Sequence, residues 1–247
     1  MYKNKIISAI IPAQDEEKSI GKVVAELCAL RNHSGISLFD NIIVCDNGST
    51  DNTAQVAQLA GAQTVFEPQP GYGIACLTAL AAMPESDVIV FIDGDHSFYA
   101  EQSLSLIDEI CQGTELVIGS RALGNTQPGA LTIPQRFGNW LAVKLIGWVW
   151  RVSITDLGPF RAISASALKR IHMQDTRFGW TVEMQVKAIQ LKLKIKELPV
   201  DTRPRIGVSK ISGTVRGVIG AALGIFGTII KLWRLERKTK ELGQEQK

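Results

Sequence analysis

The sequence predicts an α/β fold, with a doubly wound and mostly parallel sheet in one continuous domain. Over the first 120 residues, short apolar strand patterns alternate with helical segments, which is the order of elements expected for such a sheet. Strands such as IIVC and VIVFI are apolar throughout, as in sheets that helices cover on both faces. The chain has 247 residues, 45% of them hydrophobic, which suffices for one large core.

The first half supplies the strands of this sheet in order. KIISAIIP is the first strand, and Asp15 is predicted to cap a helix that runs to about Leu30. NIIVCDN is the second strand, and a helix over 49–60 follows it. The segments AQTVFEP, DVIVFIDGD and TELVIGSR are further strands, and GYGIACLTALAAM and AEQSLSLIDEICQ are the helices between them.

The second half is less regular. Residues 124–135 are rich in turn formers, and a helix is predicted over 137–152. TDLGPFRAI is a loop that leads into a short strand, FGWTVEMQVKAIQLKL is a helix, and KIKELPVDTRPR is a strand that ends in a basic loop. No clean linker separates the halves, so we expect one domain over 1–232, with halves at 1–123 and 124–232, followed by a basic tail at 233–247.

Charge is divided unevenly between the two halves. Residues 1–130 hold 6 Lys/Arg and 16 Asp/Glu, whereas residues 131–247 hold 21 and 8. The basic half suits an anionic partner such as phosphate, lipid headgroups or nucleic acid, or else the two halves are complementary faces of one fold. Four scattered cysteines favour reduced thiols in the cytoplasm, and the N-terminus lacks the pattern of a signal peptide.

Two apolar segments of the second half leave alternatives open. The uncharged run at 217–230 is 14 residues long, shorter than the roughly 18 residues of a membrane span, so a buried or interfacial helix is expected. Trp140, Trp148 and Trp150 are expected in the core. Because Lys144 and Arg151 flank them, the helix also suits a membrane interface. The basic segment 231–240 fits either contact with anionic lipid or a solvated helix end.

Acidic residues follow three predicted strands. Asp93 and Asp95 stand one residue apart after VIVFI, Asp46 follows IIVC, and Glu16 follows the first strand. Paired carboxylates repel each other, and Mg²⁺ or Mn²⁺ relieves that repulsion through oxygen ligands. Solvated turns and helix caps are the alternatives for each cluster taken alone. Because ligands bind at the carboxyl ends of parallel strands, the three clusters together predict a site for a metal and a nucleotide.

These motifs carry a resemblance to a known family. IPAQDEEKSI, VCDNGSTDNT, GYGIACLTAL, FIDGDHS and VIGSR occur in the order and spacing of family 2 glycosyltransferases of the GT-A fold. Within that family the chain most resembles the branch of dolichyl-phosphate-mannose and dolichyl-phosphate-glucose synthases. PQRFGNW, TDLGPFRAI, GWTVEMQ and RPRIGVSKISGT resemble a bacterial subgroup of this branch. The resemblance spans about residues 5–220 and is specific to the family rather than to a substrate.

The resemblance implies an inverting glycosyltransferase that depends on Mg²⁺ or Mn²⁺ and uses a UDP- or GDP-sugar. Residues 1–123 would bind the nucleotide sugar, and residues 124–232 would bind the acceptor. The implied roles concern three groups of residues. Pro12, Ala13, Glu16 and Asp46 contact the nucleotide; Asp93 and Asp95 hold the metal with the donor diphosphate; Arg121, Arg205, Ser209 and Lys210 supply cations and polar contacts near the phosphates or the acceptor.

The chain departs from the family pattern at three places. Gln14-Asp15 replaces a frequent Tyr-Asn, which puts aromatic contact with the base in doubt. Asn47 stands where a second Asp is frequent. His96 follows the D-x-D where a small or apolar residue is common, and it either reaches the metal or caps the loop.

The nature of the acceptor decides which residues the second half needs. A hydroxyl acceptor needs a base, for which Asp156 is the first candidate and Glu183 the second; a loop cap and a surface ion pair are their alternatives. A lipid phosphate needs cations instead, which Arg136, Arg161, Arg205 and Lys210 would supply. A polyprenyl phosphate is the favoured acceptor, and a soluble or lipid-linked hydroxyl is the alternative.

Two other classes of protein fit the sequence less well. A nucleotidyltransferase would more often carry a glycine-rich basic loop after the first strand, where this chain has the acidic PAQDEE. A non-enzymatic module that binds membrane or nucleic acid leaves the acidic clusters unexplained, so nucleic acid is not an expected partner. The expected location is the cytoplasm, with peripheral contact at the inner face of the membrane left open.

Overall fold

The computed structural model describes residues 1–32, 34–207 and 215–244. Within them lies one seven-stranded sheet. Its strands are β1 (Ile7–Ala13), β2 (Asn41–Asp46), β3 (Gln63–Phe66), β4 (Val88–Phe91), β5 (Leu116–Ser120), β6 (Arg161–Ser164) and β7 (Ile195–Pro199). Their spatial order is β3-β2-β1-β4-β6-β5-β7. Neighbouring strands are parallel except at β6, which runs antiparallel to both β4 and β5, and the predicted α/β class is confirmed.

Helices cover both faces of the sheet. They are α1 (Ile20–Ala29), α2 (Thr53–Leu59), α3 (Tyr72–Ala82), α4 (Ser103–Cys111), α5 (Ile133–Trp150), α6 (Ala165–Ile171), α7 (Trp180–Gln190) and α8 (Val215–Gln244). Helix α6 was not predicted from the sequence; its first turn is capped by the Ser164 hydroxyl, which accepts from Ala167 N at 3.2 Å. Apolar residues of the strands face two layers of helices, one containing Val24 and Leu27 and the other containing Trp180 and Met184.

Helix α1 begins later than the sequence predicts. Asp15 is not its cap: the backbone of this residue is left-handed, with φ of 50°, and its carboxylate accepts from Thr50 N at 2.7 Å. The first helical residue is Ile20, after a turn in which Ser19 N donates to Glu16 O. The polar side chains of this loop bond to backbone groups of neighbouring loops, which competes with helix formation.

Helices α5, α7 and α8 form a third apolar cluster, beyond the sheet. Helix α8 is continuous from Val215 to Gln244 and so crosses the predicted boundary at 232/233. Leu232 is buried in the cluster, and Glu236 accepts from Trp150 Nε1 at 2.6 Å. In the described parts of the chain, no helix has the length and hydropathy needed to cross a membrane.

The expectation of core tryptophans is wrong for two of the three. Trp140 is 54% exposed and Trp148 is 80% exposed, whereas Trp150 is half-buried against the third cluster. Helix α5 buries Ala142 and Ile146 and carries large apolar residues on its opposite face as well. The helical period alone therefore did not reveal which apolar face is the inner one.

The reversed direction of β6 brings the second half of the chain to the site. In the sheet register, Arg161 at the start of β6 pairs with Phe91 at the end of β4 and with Ile118 in β5. The loop that precedes β6, residues 155–160, therefore lies at the edge where β4 and β5 end.

Candidate functional site

A cavity of about 360 Å³ lies at the carboxyl edge of the sheet. We call it the donor cavity. It gathers residues from the ends of β1 and β4 and from the loop after β7. Of the residues predicted to bind nucleotide, diphosphate or metal, six line it: Pro12, Ala13, Glu16, Asp93, Asp95 and Arg205.

A second cavity, of about 310 Å³, adjoins the first. We call it the acceptor cavity, after the role that the family resemblance implies for the second half of the chain. The two share five lining residues, namely Tyr72, Asp93, Asp95, Phe178 and Arg205. The other walls are chiefly apolar and come from the first turns of α5, the loop before β6, and α8; they include Leu131, Pro134, Leu157, Ile225 and Phe226. Arg121 brings a cation to this apolar cavity.

Asp93 and Asp95 form the acidic wall between the cavities. Asp93 accepts from the Tyr72 hydroxyl at 3.1 Å. Burial, together with the charge of Asp95, raises the pKa of Asp93 to about 7. The space beside Gly94, which separates the two, is tight: a Cβ there would lie 3.1 Å from Ile20 Cδ1.

This oxygen-only pair fits Mg²⁺ or Mn²⁺, since a divalent cation would relieve the repulsion that raises the pKa of Asp93. Among the residues whose side chains are described, no group of three His, Cys, Asp or Glu residues is placed to hold a metal ion. A metal at Asp93 and Asp95 would complete its coordination with oxygens from water or from a bound phosphate.

Arg205 bridges the acidic residues of the donor cavity. Its Nη2 lies 2.7 Å from Glu16 Oε1, and its Nη1 lies 3.3 Å from Asp95 Oδ2. Burial raises the pKa of Glu16, and the nearby guanidinium opposes that shift. Arg205 thus carries the positive charge that balances these carboxylates in the absence of ligands.

Arg121 is held by a buried carboxylate. Its Nε and Nη2 donate to Asp156 Oδ2 and Oδ1 at 2.8 and 2.7 Å, and its backbone N donates to Oδ2 at 2.7 Å. Asp156 is only 1% exposed and does not line either cavity. Its carboxylate orients the Arg121 guanidinium, as bidentate pairs do.

The GYG motif allows a close crossing of two segments. A Cβ on Gly71 would meet Thr176 O at 2.3 Å, and one on Gly73 would meet Asp175 O at 2.1 Å. The crossing is fixed by Ile74 N, which donates to Thr176 O at 2.9 Å. It brings the neighbouring residues 177 and 178 to the donor cavity.

Arg177 is the functional candidate that the sequence analysis missed. It is exposed and lines the donor cavity. The signal that could have found it is the pair of glycines in GYG, which indicates a close backbone contact. The sequence does not name the partner of that contact.

Several predicted site residues lie away from both cavities. Asp46 Oδ1 accepts from Ser49 N at 3.0 Å, which is the turn-forming alternative. Arg161 is fully buried and donates to Gly158 O and Thr181 O, and burial lowers the pKa of Arg161 to about 10. Arg136 is exposed on α5.

Glu183 also serves the local structure. Its Oε2 accepts from Gln174 N and Asp175 N at 3.0 and 2.7 Å, and its Oε1 pairs with Lys187 at 2.7 Å. This placement argues against a role as a base. Ser209 and Lys210 lie outside the described residues.

His96 points away from the acidic pair. Its Nε2 lies 2.7 Å from Glu26 Oε1 on α1, and Arg203 bonds both to Glu26 and to His96 O. The network fastens the turn after the D-x-D to α1 and to the segment that carries Arg205.

Comparison with known proteins identifies the family of the chain. Residues 8–171 match the family described as glycosyl transferase family 2. An uncharacterized glycosyltransferase of Mycobacterium tuberculosis strain H37Rv is 32% identical over 90% of this chain and 97% of its own. A dolichyl-phosphate hexose transferase of Haloferax volcanii strain DS2 is 27% identical over 94% of this chain and 95% of its own.

The fold is also found in solved structures. The crystal structure of glucosyl-3-phosphoglycerate synthase from Mycobacterium tuberculosis, with Mn²⁺, UDP-glucose and phosphoglyceric acid, matches with a TM-score of 0.76 at 22% identity. The match covers 93% of this chain and 80% of that one, and it confirms the predicted GT-A fold. With its family match over 8–171 and a relative at 32% identity along nearly its whole length, the chain belongs to glycosyl transferase family 2 and is a glycosyltransferase.

Proposed function

We propose that this glycosyltransferase moves a sugar, with inversion and with a divalent metal, from a UDP- or GDP-sugar to a polyprenyl phosphate. The observation that carries the proposal is the junction of the two cavities. An acidic donor cavity meets an apolar acceptor cavity at Asp93, Asp95 and Arg205, and Arg121 lines the apolar side. An acceptor with an anionic head and a hydrocarbon tail matches the acceptor cavity, whose arginines suit the head and whose apolar walls suit the tail.

On the donor side, Pro12, Ala13 and Glu16 would border the nucleotide, with Asp46 near the base or ribose. Asp93 and Asp95 would hold Mg²⁺ or Mn²⁺ against the diphosphate, and the ion would offset the charge of the leaving group. Arg205 and Arg177 would add cationic contacts. Ser209 and Lys210 remain proposed contacts of the loop that follows.

On the acceptor side, a phosphate oxygen would attack the anomeric carbon. The bond from that carbon to the diphosphate would break as the new carbon–oxygen bond forms, and its electron pair would leave with the nucleoside diphosphate. A phosphate is already ionised at neutral pH, so no base is required. This agrees with Asp156, whose two oxygens already accept from Arg121.

Two of the similar proteins bear on the acceptor. The name of the Haloferax volcanii relative includes a dolichyl phosphate, which supports the lipid-phosphate proposal. The Mycobacterium tuberculosis synthase binds phosphoglyceric acid, which favours a hydroxyl acceptor as the second candidate. In that case Asp156 would have to release Arg121 to serve as the base. For either acceptor we propose a cytoplasmic protein, and a polyprenyl acceptor would bring it to the membrane face.

A transfer assay separates these candidates. The full chain, with Mn²⁺ or Mg²⁺, is incubated with UDP-glucose, UDP-N-acetylglucosamine, GDP-mannose and GDP-glucose, each with undecaprenyl phosphate or with 3-phosphoglycerate. We expect a metal-dependent β-linked polyprenyl-phosphate sugar, because these donors are α-linked and inversion gives the opposite anomeric configuration. Transfer to 3-phosphoglycerate alone would instead establish the hydroxyl candidate, and retention of configuration would refute inversion.

A further inference from the structure

Helix α5 carries an exposed apolar stripe on the face opposite its buried one. The stripe consists of Ile133, Phe137, Trp140, Leu141 and Trp148, which are between 37% and 83% exposed. Their spacing of three, four or seven residues, with one adjacent pair, puts them on one side of the helix. The other side packs through Ala142 and Ile146. A helix that is apolar on both sides is expected to be covered on both sides.

The charges of the chain segment that carries this stripe are of one sign. Residues 131–155 contain Arg136, Lys144 and Arg151 and no Asp or Glu. All three basic residues are exposed. Large aromatic residues among cations, with no carboxylates, match the interface of a membrane that contains anionic lipids.

The neighbouring helix extends this basic character. On α8, Lys231, Arg234, Arg237 and Lys238 are exposed, and Arg237 lies over the Trp233 ring, 5.2 Å from its centroid. Helices α5 and α8 are joined by the third apolar cluster and by the bond from Trp150 to Glu236. The stripe therefore sits on a rigid pair of helices and not on a loose end.

The stripe is continuous with the acceptor cavity. The first turns of α5 contribute Pro134, Gln135 and Gly138 to the cavity wall, and the same turns carry Ile133 and Phe137 on the outside. A lipid lying in a surface that touches the stripe would meet the cavity within a turn or two of the helix. A water-soluble acceptor needs no such neighbour.

We propose that the α5 stripe docks on the surface of an anionic membrane and presents the acceptor cavity to lipids in that membrane. This inference rests on the proposed polyprenyl-phosphate acceptor. It adds the partner surface, which is anionic lipid, and the residues that touch it. Trp140 and Trp148 lie in the interface, and Lys144 between them pairs with lipid phosphates.

Vesicle flotation tests the docking directly. The full chain is mixed with vesicles of phosphatidylcholine alone or with phosphatidylglycerol added, without donor or acceptor. We expect binding to the anionic vesicles, and a loss on the order of ten-fold in the bound fraction for Trp140→Ser/Trp148→Ser and for Lys144→Glu. Phe66→Ser is the matched control: Phe66 is 63% exposed on β3, far along the chain from α5, and its loss should leave binding unchanged.

Other outcomes overturn the proposal. The proposal is contradicted if wild-type protein does not bind anionic vesicles. It is also contradicted if the double tryptophan variant floats with the vesicles to the same extent as wild type. A concentration-dependent dimer that the same variant abolishes, without vesicle binding, assigns the stripe to a second copy of the chain instead.

A transfer assay distinguishes failure of the docking proposal from failure of the proposed sugar transfer. With a short-chain, water-soluble polyprenyl phosphate, the stripe variants should match wild type, and they should fall behind only when the acceptor is embedded in vesicles. Wild-type protein that binds vesicles but never transfers sugar to either acceptor refutes the proposed function and leaves the docking in place.

Discussion

Arg121 and Asp156 form a two-point ion pair at the junction of the two halves of the chain, with nitrogen–oxygen distances of 2.8 and 2.7 Å. Asp156 is 1% exposed, and the Arg121 side chain is 17% exposed. The pair therefore fixes the direction of a guanidinium that reaches the acceptor cavity. It also keeps the carboxylate of Asp156 almost completely removed from water.

Asp156→Asn should lower both stability and transfer. Because it leaves Arg121 partly buried without its counter-charge, we expect a loss of about 3 kcal/mol in the free energy of unfolding and a fall in kcat/KM with donor affinity unchanged. Urea unfolding and calorimetric titration of the donor measure these quantities. Lys196→Gln, which breaks an exposed pair with Glu109, should cost less than about 1 kcal/mol. A stable Asp156→Asn enzyme that loses activity only with a hydroxyl acceptor would point to a base.

Arg205→Gln should affect metal and donor in opposite directions. Without the guanidinium beside Asp95, Mn²⁺ alone should bind more tightly, because a competing cation is gone. The nucleotide sugar should bind more weakly, because a cation near its phosphates is gone. Electron paramagnetic resonance of free Mn²⁺ and calorimetry with UDP-sugar report the two affinities.

The matched control for that variant is Arg170→Gln. Arg170 pairs with Glu115, and it does not line either cavity. Its loss should leave the intrinsic Mn²⁺ affinity nearly unchanged. Equal Mn²⁺ affinities for wild type and Arg205→Gln would show that Arg205 does not compete with the metal.

The stability of the metal-free protein should depend on pH through Asp93. Folding raises the pKa of this carboxyl from 3.8 to about 7, so the folded state binds the proton more tightly than the unfolded state. The contribution of Asp93 is therefore most favourable at low pH and declines as the pH rises from about 4 to about 7. Asp93→Asn should remove that decline from urea unfolding profiles.

Asp87→Asn provides a contrast of opposite sign. A hydrogen bond from Ile6 N lowers the pKa of Asp87, so its contribution is present above pH 3.8 and is lost on acidification. This substitution should leave the decline between pH 4 and 7 in place. A profile for Asp93→Asn that parallels wild type over that interval would refute the assignment to Asp93.

Gly73→Ala should displace Arg177 from the donor cavity, although Gly73 itself does not line that cavity. The new Cβ would lie 2.1 Å from Asp175 O, so residues 175–177 must move and carry Arg177 away. We expect a loss of about 1–3 kcal/mol in stability and weaker donor binding. Gly227→Ala, on an exposed part of α8 where nothing lies within 4 Å, should instead add up to about 1 kcal/mol. Thermal unfolding and donor titration compare the two.

Sequence reasoning worked best where a local pattern decides the structure. Buried strands have a distinctive apolar composition, and their carboxyl ends must share one edge, so the grouping of Glu16, Asp93 and Asp95 could be predicted from the order of residues alone. The same logic placed Asp46 at this edge, where its carboxylate also accepts from Ser49 N. Its position in the sheet could be predicted from the sequence, and its contact with a nucleotide stays a prediction.

Contacts between segments that are distant in the sequence could not be predicted from it. Arg177 enters the donor cavity only because GYG and residues 175–177 cross closely. Arg161 was predicted to bind a phosphate and Glu183 was the second candidate for a base, yet both bond to backbone groups of other segments. In each case the contact that fixes the side chain comes from a residue more than five positions away or on another element. The helical or strand periodicity of the sequence does not reveal such a contact.

The antiparallel direction of β6 also bears on how this enzyme could be re-engineered. Residues 121–160 leave the sheet at the end of β5 and return at the start of β6, two hydrogen-bonded neighbours. The segment is thus an insertion between two neighbouring strands, and it carries Arg121, Asp156 and the whole of α5. An insertion with closely spaced ends is exchanged without breaking the sheet. On the proposed acceptor role of these residues, grafting residues 121–160 from a relative should change acceptor choice and leave the nucleotide preference of the host.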